Sequence, residues 1–385
     1  MPHLTPQQLL AELEVFALQP PNEALEDADV RAKLYALFDK AKKLLETPTE
    51  LVTRLLLSQH VEGTVIDVAL DLELFSKLEE ENGSTKTLET LASSIKVEPA
   101  LLKRLLRALA AFGAVQEVEH DGYRLSPSHS ILANNDFGHA VVTVSEILHP
   151  TYQALPQYLK SRNYATPTDP KNTVIQQVFG IKDKDMMSLV LEKPDWARGF
   201  GMLMSTWGES HALLQHLYPV KERLVAGFNA DINPVLFLDV GGGYGQKSIA
   251  LRQAFPDLPG KVVVQDMPVF IDTAPVVEGI DFTVHDFFTE QPVKTCVKIL
   301  SMLRPSLKPG YSKLLIHELI VPETGASTWA AVQDINMMSL AGVAERTEKD
   351  WKSLIHAAGL AVENIYRATD GVSESVIEVV VEEQC

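Results

Sequence analysis

The sequence predicts an α/β fold in which a Rossmann-like domain is preceded by a mainly helical domain with a winged-helix-like segment. Three observations carry this expectation. An apolar strand, Val235-Leu236-Phe237-Leu238, runs into an acid and a glycine loop, Asp239-Val240-Gly241-Gly242-Gly243-Tyr244-Gly245, and then into a helical stretch from Lys247 to Phe255. A second apolar strand, Lys261-Val262-Val263-Val264-Gln265, again ends in an acid, Asp266. Upstream of both, apolar residues recur at helical rather than alternating spacing.

Taken in order, residues 6–80 read as helices, with Leu51, Leu55, Val61, Val65, Val68, Leu72 and Phe75 on a helical repeat. Their apolar faces either pack within the chain or form a subunit interface. Leu88 to Ala92 opens a short helix, Pro99 starts a second one carrying Leu101, Leu102, Leu105, Leu106 and Leu109, and Val115 to Leu125 reads as a hairpin around Asp121-Gly122. Helix, turn, helix and wing is an order used to bind DNA, and Lys103, Arg104 and Arg107 place three cations on the second helix. Against that, 51 Asp and Glu outnumber 34 Lys and Arg, and a net charge of −17 repels a polyanion. A protein-packing role is expected, with no nucleic-acid partner.

From Ala140 to Tyr218 the chain again reads helical, interrupted by a polar loop at Asn163 to Asn172. Methionines and aromatics on such helices are ordinarily core. A bridge beside a cleft can also turn them to a ligand, and Met202, Met204 and Trp207, with Met337 and Met338 from a later helix, are the candidate substrate pocket. The expected division is a helical dimerisation domain over 1–135, a helical bridge over 136–225 and the Rossmann-like domain over 226–385.

Composition fits an ordinary two-domain globular protein of 385 residues, with 46% hydrophobic and 22% charged residues. Cys296 and Cys385 are too few for a disulfide framework or a thiolate metal site. The N-terminus lacks the features of a signal peptide, and no run approaches the ~20 apolar residues of a spanning helix. A soluble, cytoplasmic protein without a metal or a membrane partner is expected.

The glycine loop needs residues that tolerate positive φ and let the backbone approach a ligand without an intervening Cβ. Asp266, 23 residues after Gly243, ends the second strand where a carboxylate can accept hydrogen bonds from both ribose hydroxyls of a nucleoside. A third strand, Ile280 to His285, ends in Asp286-Phe287, an acid and a ring suited to an adenine amine and face. A capping Asp and a core Phe are the plainer alternative. Both NAD and S-adenosylmethionine fit such a sheet. The loop does not complete the spacing that seats a pyrophosphate on the helix N-terminus, and no hydride-transfer pair is present, which favours S-adenosylmethionine.

Phe237 to Gly245, Arg252 to Pro256, Asp266-Met267-Pro268, His285-Asp286-Phe287-Phe288 and Ala344-Glu345-Arg346-Thr347 together resemble the plant and fungal small-molecule O-methyltransferases of the caffeate type, the fungal branch in particular. The resemblance covers the chain from about Leu51 onward. It implies an N-terminal helical region that forms a homodimer and a C-terminal domain that binds S-adenosylmethionine. Gly241 and Gly243 would line the methionine part, Asp266 the ribose, and Asp286 with Phe287 the adenine, with Asp239 a further cofactor-binding candidate.

That family uses a histidine to take the proton of a substrate hydroxyl, so that the oxyanion attacks the sulfonium methyl in line. The strand and Leu-His-Asp-Trp segment that carry this histidine are missing here. Only Thr289 to Lys294 separates Asp286-Phe287-Phe288 from the helix expected at Cys296 to Leu300. In a sheet of this kind the lost strand would lie beside the first one, leaving unpaired backbone unless the strand Lys313 to Val321 closes up against it. A shortened gene reading and a divergent protein both account for the gap.

Glu318 and Glu345, the carboxylates that flank the family's histidine, remain as catalytic candidates. Glu345 has a plainer alternative as a negative charge at the N-terminus of the helix near Thr347. His317 and His356 are further bases by residue type, read as structural in a strand and a helix. His149 on the bridge is a possible polar contact to substrate, though a histidine before a proline is otherwise an ordinary helix-end residue. Three functions follow: an O-methyltransferase of a small aromatic or enolic secondary metabolite, an enzyme using the bound sulfonium as fixed charge for dehydration or a pericyclic cyclisation, or a non-catalytic relative.

Overall fold

The computed structural model describes residues 5–118, 121–210, 213–285, 295–368 and 374–381. The chain divides into two units, Met1–Thr64 and Val65–Cys385.

In the first unit, α1 (Pro6–Leu18) starts at Thr5, which exchanges hydrogen bonds with Gln8 in a capping box and places Pro6 where its missing N–H is harmless. Helices α2 (Asn22–Glu26), α3 (Ala28–Leu45) and α4 (Pro48–Thr53) follow, α3 capped by Asp27 and α4 by a Thr47–Glu50 box. Local capping therefore starts three of these helices, but packing within the unit leaves much of their apolar surface open. Leu10, Leu18, Leu44, Leu45, Leu56 and Leu57 are all more than half exposed.

Helix α5 (Gln59–Asp71) leads into the second unit, where α6 (Leu74–Gly83), β1 (Lys86–Thr87), α7 (Leu88–Ile95), α8 (Pro99–Ala111), β2 (Val115–Val118) and β3 (Gly122–Leu125) form a helical layer with a small sheet of order β1-β3-β2. Leu74, Phe75, Leu78, Leu91, Leu102, Leu106 and Leu109 fill its core. A Cβ on Gly122 would come within 2.3 Å of the Val118 carbonyl oxygen, so only glycine closes this hairpin. Lys103, one of the three cations of α8, is paired with Asp121 of the hairpin at 3.0 Å.

The bridge begins with α9 (Asn135–Ser161), capped by Asn134, and continues through α10 (Val174–Phe179), α11 (Met186–Leu191), α12 (Pro194–Ser210) and α13 (Leu214–Leu217). Helix α9 continues past Pro150 and Pro156, which corrects the reading of His149 as a helix-end residue. Proline forfeits one N–H and crowds the carbonyl four residues back. Packing of α9 against α12, through Ala140, Val144 and Leu203, holds the helix despite that cost.

The remaining elements are β4 (Val235–Val240), α14 (Gln246–Ala254), β5 (Lys261–Asp266), α15 (Pro268–Ile271), β6 (Ile280–Val284), α16 (Thr295–Leu303), β7 (Leu314–Glu318), β8 (Ile320–Val321), α17 (Thr328–Ala341), β9 (Arg346–Thr347), α18 (Glu348–Ala357), β10 (Leu360–Tyr366) and β11 (Ser375–Val381). They form two half-sheets, a parallel β4-β5-β6 and an antiparallel β10-β11-β7, with a short parallel bridge between β8 and β9. Among the described residues no ladder joins β4 to β7, so the later strand does not close up against the first.

This corrects the expectation that β4 is buried on both faces. No residue of β4 is buried and Leu238 is 45% exposed, whereas Val262 and Val264 of neighbouring β5 have no exposed surface. Among the described residues β4 has a strand beside it on one edge alone, that of β5. What joins the halves instead is side-chain packing: Leu236 and Phe237 of β4 and Leu315 of β7 meet one cluster with Leu214, Tyr218, Leu251 and Val376. Beneath it, Glu378 of β11 is fully covered and accepts hydrogen bonds from Tyr218 Oη at 3.0 Å, Arg223 Nη2 at 2.9 Å and Tyr366 Oη at 3.2 Å, with Lys313 Nζ at 3.3 Å.

Candidate active site

The glycine loop follows β4 directly. Gly241, Gly243 and Gly245 have φ of 75°, 57° and 80°, the left-handed region that other residues resist. The N–H groups of Gly241 and Gly242 both donate to the Gln265 carbonyl, at 2.8 and 3.2 Å, which ties the loop to the end of β5. Packing demands glycine at two further points, since a Cβ on Gly242 would lie 2.7 Å from Asp239 Cγ and one on Gly245 would lie 2.8 Å from the Phe282 ring. Gly243 is different. Nothing lies within 4 Å of where its Cβ would be, so the crest of the loop faces open space.

Two carboxylates flank that crest. Asp239 accepts from Ser248 Oγ at 2.7 Å, and burial, with Asp266 adding to it, raises its carboxyl above the ordinary range although Ser248 and Lys247 oppose. Asp266 is only 7% exposed; one oxygen accepts from Gly243 N at 2.8 Å and the other from Met267 N at 2.6 Å. An ionised carboxylate has about four acceptor sites, so about two remain for a diol. An open crest between two acids, one of them with acceptor capacity to spare, fits the nucleoside and amino-acid parts of S-adenosylmethionine. Asp286 and Phe287 lie outside the described residues. The approach to them is anchored where His285 N donates to the Asp266 carbonyl at 2.9 Å.

The bridge touches this loop. A Cβ on Gly201 of α12 would come within 3.1 Å of the Tyr244 ring, which itself meets Phe270 edge-on at 5.6 Å. Of the expected pocket residues, Met202 packs onto the α9 cluster of Ala140, Val144 and Leu203, and Met204 is 38% exposed. Trp207 lies on α12, its side chain outside the described set. Met337 and Met338, half-buried on α17, follow Asp334 by one helical turn.

A second group of charges stands at the end of β7. Glu318 pairs in register with Ser375, so Glu374 is beside it, and Glu374 accepts from Lys247 Nζ at 2.5 Å. Lys247 is the second residue of α14, directly after the glycine loop. The carboxyl end of β7 and the glycine loop of β4 therefore share one edge of the fold, although no strand joins them. Pairing of Ile320 with Arg346 brings Glu345 up to Glu318, and the Glu345 N–H donates to Asp334 Oδ1 at 2.9 Å. Glu345 precedes the first turn of α18, whose acids are Glu348 and Asp350, so it is not that helix's N-terminal charge.

Glu318 is the exposed residue at the end of β7, although protein groups crowd that strand end. Burial first, then Glu374 and Glu345, push its carboxyl up to about 7 against the pull of Lys247 and Arg346. Burial also raises Glu345, opposed by Arg346 and reinforced by Asp334 and Glu374. Of the histidines, His317 meets the carboxylate group through Glu374, whereas His356 and His149 lie elsewhere. His317 has a side chain 12% exposed and its Nε2 lies 3.7 Å from Glu374; His356 is on the exposed side of α18; His149 is 53% exposed, with Nδ1 3.9 Å from Asp67 of α5. Burial raises the Asp67 carboxyl, and His149 and Ser145 partly offset this.

Sequence reasoning missed Lys247 and Glu374. One signal was present: a cation in the first turn of a helix faces the positive end of the dipole and calls for a carboxylate partner. Among the described residues no group of three or more His, Cys, Asp or Glu is arranged to hold a metal ion, and no helix is long and apolar enough to cross a membrane.

Residues 53–135 match the family model of the O-methyltransferase dimerisation domain, and residues 292–361 match that of the O-methyltransferase domain. The chain is 36% identical to a demethylsterigmatocystin 6-O-methyltransferase of Aspergillus parasiticus, over 77% of this chain and 79% of the relative. Two solved structures superpose with a TM-score of 0.87 at 27% identity, covering 98% of this chain and 100% of theirs. One is described as a pericyclic reaction enzyme and the other as LepI in complex with SAM.

Proposed function

The chain belongs to the S-adenosylmethionine-dependent O-methyltransferase family of the plant and fungal type, and from that premise we propose that it binds S-adenosylmethionine at the glycine loop and methylates a hydroxyl of a small aromatic or enolic secondary metabolite. The open crest at Gly243, set between Asp239 and a buried Asp266 with unused acceptor sites, is the observation that carries this reading. Asp239, Gly241 and Gly243 hold the methionine part, Asp266 the ribose hydroxyls, and Asp286 with Phe287 the adenine. When bound, the cofactor supplies an electrophilic methyl group on a sulfonium centre.

Met204 of α12 and Met337 and Met338 of α17 give the substrate side an adaptable apolar lining, and Met202 and Trp207 of α12 are further candidates for it. The domains are a helical dimerisation region over 1–135, a bridge over 136–225 and the cofactor-binding domain over 226–385. In the first, α7, α8 and the β2–β3 hairpin serve as a winged-helix-like packing element, since Lys103 is already paired. The exposed leucines of α1, α3 and α4 fit a homodimer. Light scattering should give twice the chain mass of 42.5 kDa, and a single-chain mass at micromolar concentration would exclude this. With two cysteines in 385 residues, a reducing cytoplasm suits the chain.

A second reading, in which the sulfonium acts as fixed charge in a pericyclic or dehydration reaction, draws on the likeness to the pericyclic reaction enzyme and on the missing histidine segment. Incubation with methyl-tritiated S-adenosylmethionine and demethylsterigmatocystin, followed by a panel of phenols and enols, separates the two. Label in the product is the expected result. An isomerised or dehydrated product without label supports the second reading, and cofactor binding without any product removes both.

A further inference from the structure

The sequence between Phe288 and Cys296 is too short for the histidine segment of the resembled family, and at the shared edge of β4 and β7 one carboxylate stands without an ion pair among the described residues. Glu374 is committed to Lys247 at 2.5 Å, Asp239 to Ser248 and Asp266 to two backbone N–H groups. Glu345 has its backbone N–H on Asp334 and its carboxyl under the opposing charge of the adjacent Arg346. Glu318 ends β7, is reached by solvent, and forms no ion pair within 4 Å among the described residues. The charged groups that act on it are Glu374 ahead of β11, Glu345 and Arg346 at β9 and Lys247 on α14.

We propose that Glu318 itself is the general base that takes the proton of the substrate hydroxyl, a role that rests on the methyl-transfer reading above. The step is balanced within the site. The hydroxyl proton passes to a Glu318 oxygen, the substrate oxygen forms its bond to the methyl carbon as the carbon–sulfur bond breaks, and that electron pair stays on sulfur in the thioether product. Solvent on the open side of Glu318 then receives the proton. The surroundings suit the task. Burial and the like charges of Glu374 and Glu345 give Glu318 a proton affinity near neutrality, where a general base works best, while Lys247 and Arg346 keep it from rising further.

A base of this strength sets the substrate class. It can deprotonate hydroxyls made acidic by conjugation, such as a phenol beside a carbonyl or the enol of a 1,3-dicarbonyl compound, and not an aliphatic alcohol.

Two measurements test the role. In an infrared pH titration of the apoprotein, a carboxyl band should titrate near pH 7 and vanish in Glu318→Gln; an unchanged band overturns the proposal without reference to any substrate. In the labelled-methyl assay, Glu318→Gln should lower kcat by about 100-fold or more. In the wild-type chain kcat should rise with pH through about 7, as the carboxylate ionises. Glu318→His, which places a second kind of base at the same position, should recover part of the rate with a shifted profile. Label transfer by Glu318→Gln within threefold of wild type overturns the base assignment and leaves methyl transfer standing. A wild-type chain that never transfers label removes the methyl-transfer reading, and the infrared titration then decides whether Glu318 is poised at all.

Discussion

Glu378→Ala should destabilise the folded chain by about 3–5 kcal/mol, read as a lower urea midpoint at pH 7. Glu378 has no exposed surface, lying just under Arg223, and it gathers Tyr218, Tyr366, Arg223 and Lys313 around two oxygens. Burial alone would raise its carboxyl, but Arg223, Tyr218 and Lys313 outweigh burial and hold it below the ordinary carboxylate range. Removing the carboxylate leaves two cations and two hydroxyls facing one another without their common acceptor. The loss would be felt across the fold, because Arg223 and Tyr218 belong to the segment entering the Rossmann-like domain and Glu378 to its last described strand.

The sign of the pH dependence follows from the direction of the shift. A carboxyl held below its unfolded value contributes stability that is present above the unfolded value and is lost as pH falls through the depressed one. Wild-type stability should therefore drop at the acid end of the carboxylate range, and Glu378→Gln should lack that part of the drop. A Glu378→Ala midpoint within 1 kcal/mol of wild type, a threshold well below the range for a broken buried pair, would show that the cluster is not a structural centre.

Asp266→Ala should weaken S-adenosylmethionine binding by about 100-fold, or about 3 kcal/mol, the scale of two hydrogen bonds to a charged acceptor. The same substitution frees the Gly243 and Met267 N–H groups, so the loop loses an anchor as well as a ligand contact. Calorimetric titration of wild type, Asp266→Ala and Asp266→Asn separates these effects. Asparagine retains one acceptor oxygen and should fall between the other two. Equal affinity in all three would remove Asp266 from the cofactor site.

Local order was legible in the sequence. Strand, glycine loop and helix at 235–255 are contiguous, and their geometry depends on residue types that a reader can see: glycines where φ is positive, an acid where β5 ends. The helix, helix and hairpin at 88–125 read out for the same reason. Long-range partners were not legible. Nothing local to Lys247 says that Glu374 will meet it, and nothing local to Glu378 says that Tyr218 and Arg223 will converge on it. The failure at Pro150 has another cause, since a helix-breaking residue was overruled by packing of α9 on α12. The exposed face of β4 could not be read from an apolar run, because an apolar run reports what a strand was selected to cover and not whether the cover is present.

The separation of the two half-sheets bears on how the chain is handled before it ever meets a ligand. A continuous ladder makes neighbouring strands melt together, and here that cooperativity stops at the edges of β4 and β7. Opening can then begin at this seam, where side chains alone hold the halves together. During such an opening the apolar edge around Leu238 is what a passing extended chain, a chaperone or a second nascent copy would meet first. The side chains that seal this seam are therefore also what keeps that edge from other chains.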